Sequence, residues 1–193
     1  MTHTPRILAF SGSLRSASWN HLVAMTAASG AEATGADVTL IRLGDYPLPL
    51  YDQDLESSEG LPEPAMKLKQ LFREHDGFII GCPEYNGSLT AALKNCIDWV
   101  SRPEEGHPSM DGFKGKVAGL VACSPGRLGG IRGLGHVRTI LSGIGVHVVP
   151  TQIAVPGVAD LFDDEGLMTD ERMKANLEEL GQAVAETARR LRA

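Results

Sequence analysis

Ser11-Gly12-Ser13-Leu14-Arg15-Ser16-Ala17-Ser18-Trp19-Asn20 follows the apolar run Ile7-Leu8-Ala9-Phe10 and leads straight into a helix-compatible stretch. Serine hydroxyls, the Arg15 guanidinium, the Asn20 amide and the free N–H groups of a helix start converge there, which is the equipment that holds a phosphate. No Lys-Ser or Lys-Thr pair closes the loop as a nucleoside-triphosphate loop requires, and the Gly-x-Gly-x-x-Gly of a dinucleotide fold is missing. A terminal phosphate monoester suits it better than a triphosphate or a pyrophosphate.

Outward from this loop, apolar runs recur at Ile7–Phe10, Val38–Ile41, Phe78–Ile80, Val117–Ala122 and Val146–Val149, each separated from the next by a helix-compatible segment. Near-continuous apolar strands alternating with helices predict an α/β doubly wound parallel sheet of five strands, with five helices covering both faces. Leu89, Leu93, Cys96, Ile97 and Val100 mark one side of the third helix, and Met173, Leu177, Leu180, Val184 and Leu191 one side of the last. On such a sheet ligands bind beyond the carboxyl ends of the strands, and flavin mononucleotide (FMN) is the commonest cofactor there that ends in a phosphate monoester.

Composition sets the bounds. At 193 residues the chain fits a single domain spanning 1–193, and 42% hydrophobic with 22% charged residues is ordinary for a globular protein. A net charge of -6 argues against nucleic acid as a partner. No stretch approaches the roughly 18 apolar residues of a membrane span, so the expected location is cytoplasmic. Cys82, Cys96 and Cys123 form no Cys-x-x-Cys pair, and counted from Cys82 and Cys123 the Cys-x5-Arg phosphatase pattern fails, at Ser88 and Gly129. The histidines form no His-x-x-x-His pair, so a helical metal site lacks support.

Three further segments stand out. After the third strand, Cys82-Pro83-Glu84-Tyr85-Asn86-Gly87-Ser88 offers an aromatic platform between a proline and a glycine. After the fourth, Ser124-Pro125-Gly126-Arg127-Leu128-Gly129-Gly130 lets backbone approach a flat ring. Arg42–Leu61 is too long for an ordinary connection of about 2 to 6 residues. Its Tyr46-Pro47-Leu48-Pro49-Leu50-Tyr51 core reads either as a subunit interface or as a packed surface loop.

Gly12-Ser13-Leu14-Arg15-x-x-Ser18-x-Asn20, Pro83-Glu84-Tyr85-Asn86-Gly87-Ser88 and Leu93-Lys94-Asn95-x-Ile97-Asp98-Trp99 resemble the NADPH-dependent FMN reductase family, over most of the chain. The resemblance implies a flavodoxin-like fold with strand order 2-1-3-4-5, bound FMN, and a homodimer or homotetramer. It implies that Ser11, Ser13, Arg15, Ser18 and Asn20 hold the FMN phosphate, that Pro83, Glu84, Tyr85 and Asn86 border the ribityl chain and the ring, and that Ser124 and Gly126 complete the pocket. Thr90-Ala91 stands where relatives often carry Pro-Gly, and Tyr51-Asp52-Gln53-Asp54 resembles a segment that relatives place at a subunit interface. The implied activity passes hydride from NADPH, or NADH, through FMN to a small-molecule electron acceptor: a quinone, free flavin, azo compound or metal oxyanion. Arg127, Arg132 and Arg138 are the candidates for a ribose phosphate. No residue is required as a catalytic acid, because the redox chemistry belongs to the cofactor.

Two rival readings remain: a flavodoxin-like electron carrier or flavin-binding regulatory module without direct NAD(P)H reactivity, and a serine hydrolase. The second lacks a Gly-x-Ser-x-Gly elbow and a compelling serine-histidine pair.

Overall fold

The computed structural model describes residues 3–192. Its strands are β1 (Arg6–Ser11), β2 (Asp37–Leu40), β3 (Gly77–Gly81), β4 (Glu84–Tyr85), β5 (Ser88–Leu89), β6 (Val117–Cys123) and β7 (His147–Val155). The helices are α1 (Trp19–Ala33), α2 (Gln53–Glu59), α3 (Glu63–Glu74), α4 (Ala91–Ser101), α5 (Ile131–Gly143) and α6 (Glu171–Arg192). The main sheet is parallel throughout, in the order β2-β1-β3-β6-β7, and β4-β5 is a separate antiparallel hairpin. With the hairpin set aside, this is the flavodoxin-like order 2-1-3-4-5 that the sequence implied.

Strand alternation divides the core between two faces. Ile7 and Ala9 of β1 face α1 and α6 among Val23, Ala27, Leu180 and Val184, while Leu8 and Phe10 face Phe72, Leu93 and Leu134 on the α3, α4 and α5 side. Phe72 is the hub of that second face, with ring centroids of Phe10, Phe78 and Phe113 at 5.5, 4.8 and 5.2 Å. On the first face α1 and α6 touch backbone to backbone: a Cβ on Gly30 would sit 2.0 Å from Glu178 O, and one on Gly181 only 1.8 Å from Ala27 O. The two helices meet this closely because both positions lack side chains.

Four expectations need correction. The described residues form six α-helices rather than five, because α2 lies inside the segment expected to be a loop, N-capped by the Asp52 carboxylate, which accepts from Asp54 N at 2.8 Å. Leu89 belongs to β5, not to the helix after it, which begins only past the Thr90 cap. Leu191 is half-exposed, and Ala188 takes its place on the buried side of α6. The last strand runs on from Val149 to Val155, carrying Pro150 at the irregularity where its pairing with β6 shifts register between Ala118 and Leu120.

The Arg42–Leu61 segment is pinned onto α4. Trp99 Nε1 and Asn95 Nδ2 both donate to Pro49 O at 2.8 Å, Asn95 Oδ1 accepts from Tyr51 N, and Arg102 pairs with Glu56 at 2.9 Å. Its crest is exposed at Leu50.

Candidate functional site

β1 hands the chain to the candidate phosphate loop at Ser11, and Gly12 N extends the sheet by one bond to Gly81 O (2.8 Å). The loop then folds on its own serines. Ser13 N donates to Ser11 Oγ at 3.3 Å and Arg15 N to Ser13 Oγ at 3.2 Å. Ser18 caps α1 in an extended conformation with no side-chain cap bond, leaving its hydroxyl uncommitted beside the orphan N–H groups of the first turn. Arg15 is exposed and makes no ion pair among the described residues. From outside, Arg42 Nη1 braces the loop by donating to Ser16 O at 2.8 Å, a contact no local motif announces.

A cavity of about 380 Å³ opens between this loop and the start of α4. Gly12, Ser13, Leu14 and Arg15 form one wall, Thr90, Ala91 and Ala92 the other, and Tyr85 stands at its edge. Hydroxyls, a guanidinium and an aromatic ring line it and no acidic side chain does, a donor set that fits a phosphate monoester joined to a flat ring. The volume lies within the range of small-molecule sites. A second cavity of about 320 Å³ shares Leu14 and Ala92 with it and is lined further by Leu43, Tyr46 and Leu48.

Tyr85 is presented by a two-residue hairpin. Asn86 and Gly87 take φ of 53° and 80°, the left-handed pair of a type I′ turn. The hairpin is clasped to α5: Glu84 accepts from Arg132 Nε (2.8 Å) and Nη2 (2.5 Å), and from Gly133 N (3.0 Å). Burial alone would raise the Glu84 carboxyl, but the Gly133 N–H and the Arg132 guanidinium outweigh it and hold it below the usual carboxylate range. Ser88 Oγ and His136 Nδ1 add a contact at 2.9 Å. No local sequence pattern pairs these two residues. His136 has no carboxylate partner among the described residues and neither residue lines the cavity, so the pair fastens the hairpin and does not make a nucleophile.

The structure thus brings Ser13, Arg15 and Tyr85 to one cavity, with Ser11 and Ser18 in the supporting loop. Others of the expected residues face elsewhere. Asn20 is buried and spends its amide on Cys123, Nδ2 donating to O (3.1 Å) and Oδ1 accepting from N (3.0 Å). Glu84 is turned to α5. Pro83 is buried behind the hairpin, and Asn86 forms its turn. Ser124 and Gly126 lie in the loop after β6, where Ser124 Oγ donates to Gly126 O at 3.3 Å, outside the wall of this cavity. In that loop Gly129 and Gly130 take φ of 59° and 87°, and a Cβ on Gly129 would strike Val155 C at 2.7 Å.

Burial pushes the thiols of Cys96 and Cys123 up to about 12 and that of Cys82 higher still, so none is a thiolate at neutral pH. Of the three candidate arginines, Arg132 is committed to Glu84, and Arg138 to Gln152 and the carbonyls of Val148, Val149 and Pro150. Arg127 alone of the three has no hydrogen bond or ion pair among the described residues. No group of three His, Cys, Asp or Glu side chains close enough to hold a metal ion occurs among them. None of their helices is long and apolar enough to cross a membrane.

A five-stranded doubly wound sheet with a phosphate-type loop at its switch point is the architecture of flavodoxin-like proteins. The family profile for NADPH-dependent FMN reductase matches residues 5–160, and the chain belongs to that family of flavin-dependent oxidoreductases. It is 32% identical over 193 residues, the whole of both chains, to an NAD(P)H-dependent FMN reductase of Pseudomonas aeruginosa. It is 37% identical over 142 residues to a quinone reductase of Escherichia coli, covering 73% of this chain and 71% of that protein. Among solved structures, a flavoenzyme NAD(P)H:(acceptor) oxidoreductase from Paracoccus denitrificans superposes with a TM-score of 0.78 at 26% identity, over 97% of this chain and 98% of that one. An archaeal flavodoxin shares the fold at a TM-score of 0.64 and 12% identity, over 95% and 98% of the two chains.

Proposed function

We propose that the chain is a reductase that takes electrons from NADPH or NADH onto FMN held in the 380 Å³ cavity and delivers them to a small acceptor of the quinone or free-flavin type. The observation that carries the reading is that one cavity joins the phosphate-type loop to an exposed tyrosine. Bound FMN supplies two-electron chemistry to both partners.

The protein's own part is to bind and to expose. Arg15 and the Ser11, Ser13 and Ser18 hydroxyls, with the N–H groups of the α1 start, meet the phosphate. Asn20 secures the far end of that loop to β6 without touching the ligand. Glu84 holds the hairpin so that Tyr85 borders the ring, and Pro83 and Asn86 shape it. Ser124 and Gly126 face the ring's polar edge from the neighbouring loop. Arg127 is the residue through which a 2′-phosphate would be read.

The exposed Leu50 crest above the pinned Arg42–Leu61 lobe supports a homodimer or homotetramer. Three buried, protonated thiols support a reducing compartment, the cytoplasm.

The test is anaerobic addition of NADPH to FMN-reconstituted protein while the oxidised-flavin band is followed. Direct bleaching is the expected result. Bound flavin that stays oxidised until a partner reductase is added would make the chain an electron carrier instead, and failure to bind FMN would defeat the reading.

A further inference from the structure

We propose that Thr90 is a positioning residue that couples the phosphate end of the site to its ring end, by fixing the peptide unit between Gly12 and Ser13. This rests on the flavin reading above and adds a residue to it.

The Thr90 side chain is buried, and its hydroxyl is used in both directions. It donates to Gly12 O at 2.6 Å and accepts from Leu93 N at 3.2 Å. The acceptance is the ordinary N-cap of α4. The donation is not needed by that helix, because it reaches across to the loop after β1.

Its effect follows from the planarity of the peptide bond. The carbonyl of Gly12 and the N–H of Ser13 belong to one rigid trans unit and point in opposite directions. Drawing the carbonyl toward α4 therefore aims the Ser13 N–H away from α4. Among the described residues it meets there only the Ser11 hydroxyl, at a long 3.3 Å, a contact weak enough to give way to an anionic oxygen.

Gly12 makes this reach possible. A Cβ there would lie 2.6 Å from Leu93 Cβ, so the loop rests directly on the first turn of α4 with no side chain between. Gly12 and Ser13 line one wall of the cavity and Thr90 the other, and the Thr90 bond ties the walls together. A phosphate that orders the loop thereby orders the helix start beneath the ring, and the converse holds.

The experiment titrates full-length apoprotein with FMN and with riboflavin, which lacks the phosphate, for the wild type, Thr90→Val and Thr90→Ser. Thr90→Val keeps the shape and loses the hydroxyl, both as donor to Gly12 O and as the cap acceptor for Leu93 N. It is expected to weaken FMN by about tenfold while leaving riboflavin within about twofold, and Thr90→Ser is expected to retain FMN. As a second readout, the ³¹P resonance of FMN in the saturated Thr90→Ala protein is expected to move relative to wild type, and in Thr90→Ser to stay.

Equal losses for FMN and riboflavin would make Thr90 a helix cap and nothing more, overturning the proposal. So would an unchanged FMN affinity in Thr90→Val together with an unmoved phosphorus resonance in Thr90→Ala. A wild-type protein that binds neither flavin would instead overturn the flavin reading itself.

Discussion

The carboxamide of Asn20 and the backbone of Cys123, 103 residues apart in sequence, form a closed pair of hydrogen bonds of 3.1 and 3.0 Å at the buried start of α1. A side chain that the family resemblance places at the FMN phosphate stitches the loop after β1 to the end of β6. Replacing Asn20 with Ala would leave a buried N–H and a carbonyl of Cys123 without these partners. The expected cost is about 1 to 3 kcal/mol, read as a Tm lowered by roughly 3 to 10 °C in the apoprotein. A Tm within a degree of wild type would show that water replaces the amide at no cost.

Gly181→Ala should be far worse than its chemistry suggests. The new methyl would lie 1.8 Å from Ala27 O, so α1 and α6 must part along their crossing, and a loss of more than about 3 kcal/mol in chemical denaturation is expected. Gly135→Ala is the counterpart. Nothing lies within 4 Å of a Cβ at that α5 position, and the gain in helix propensity should stabilise by about 0.5 to 1 kcal/mol.

Arg15→Gln removes the guanidinium nearest the expected phosphate. A charge-assisted contact of roughly 1.5 to 3 kcal/mol corresponds to a loss of about 10- to 150-fold in FMN affinity, with riboflavin binding unchanged. Fluorescence titration of both flavins checks it, and equal affinity of wild type and variant for FMN would remove Arg15 from the site.

How much of this was legible follows the distance over which each signal acts. The five main strands show in the sequence because each is an apolar run of its own. The helix α2 does not, because none of its residues is buried, and without a buried side there is no apolar period to read. β4 and β5 are two residues each, yet Asn86-Gly87 is the strongest short hairpin signal and would have revealed them. In the site, the serines and Arg15 were readable because the loop is contiguous. The partners of Asn20 and Glu84 lie 103 and 48 to 49 residues away, where no local pattern reaches.

Lys116 gives the protein a titration of its own. Its ammonium is buried, donating to Arg73 O (2.7 Å) and His75 O (2.5 Å) at the end of α3. Burial pulls its pKa down from 10.5 to about 8. Between those values the unfolded chain binds the proton and the folded chain does not, so this group's contribution to stability rises from about pH 8 and is complete near 10.5. The stability of wild type minus that of Lys116→Met should therefore grow between pH 7 and pH 10, by up to about 3 kcal/mol. A difference independent of pH would show that the lysine titrates normally.

The glycine contact between α1 and α6 also sets an order of events during synthesis. α1 carries the phosphate loop at its start, yet one side of it is covered by α6 (Glu171–Arg192), which is made long after it. Until α6 emerges, α1 and the loop it carries stand with one side uncovered, so cofactor capture waits for the α6 segment to be made.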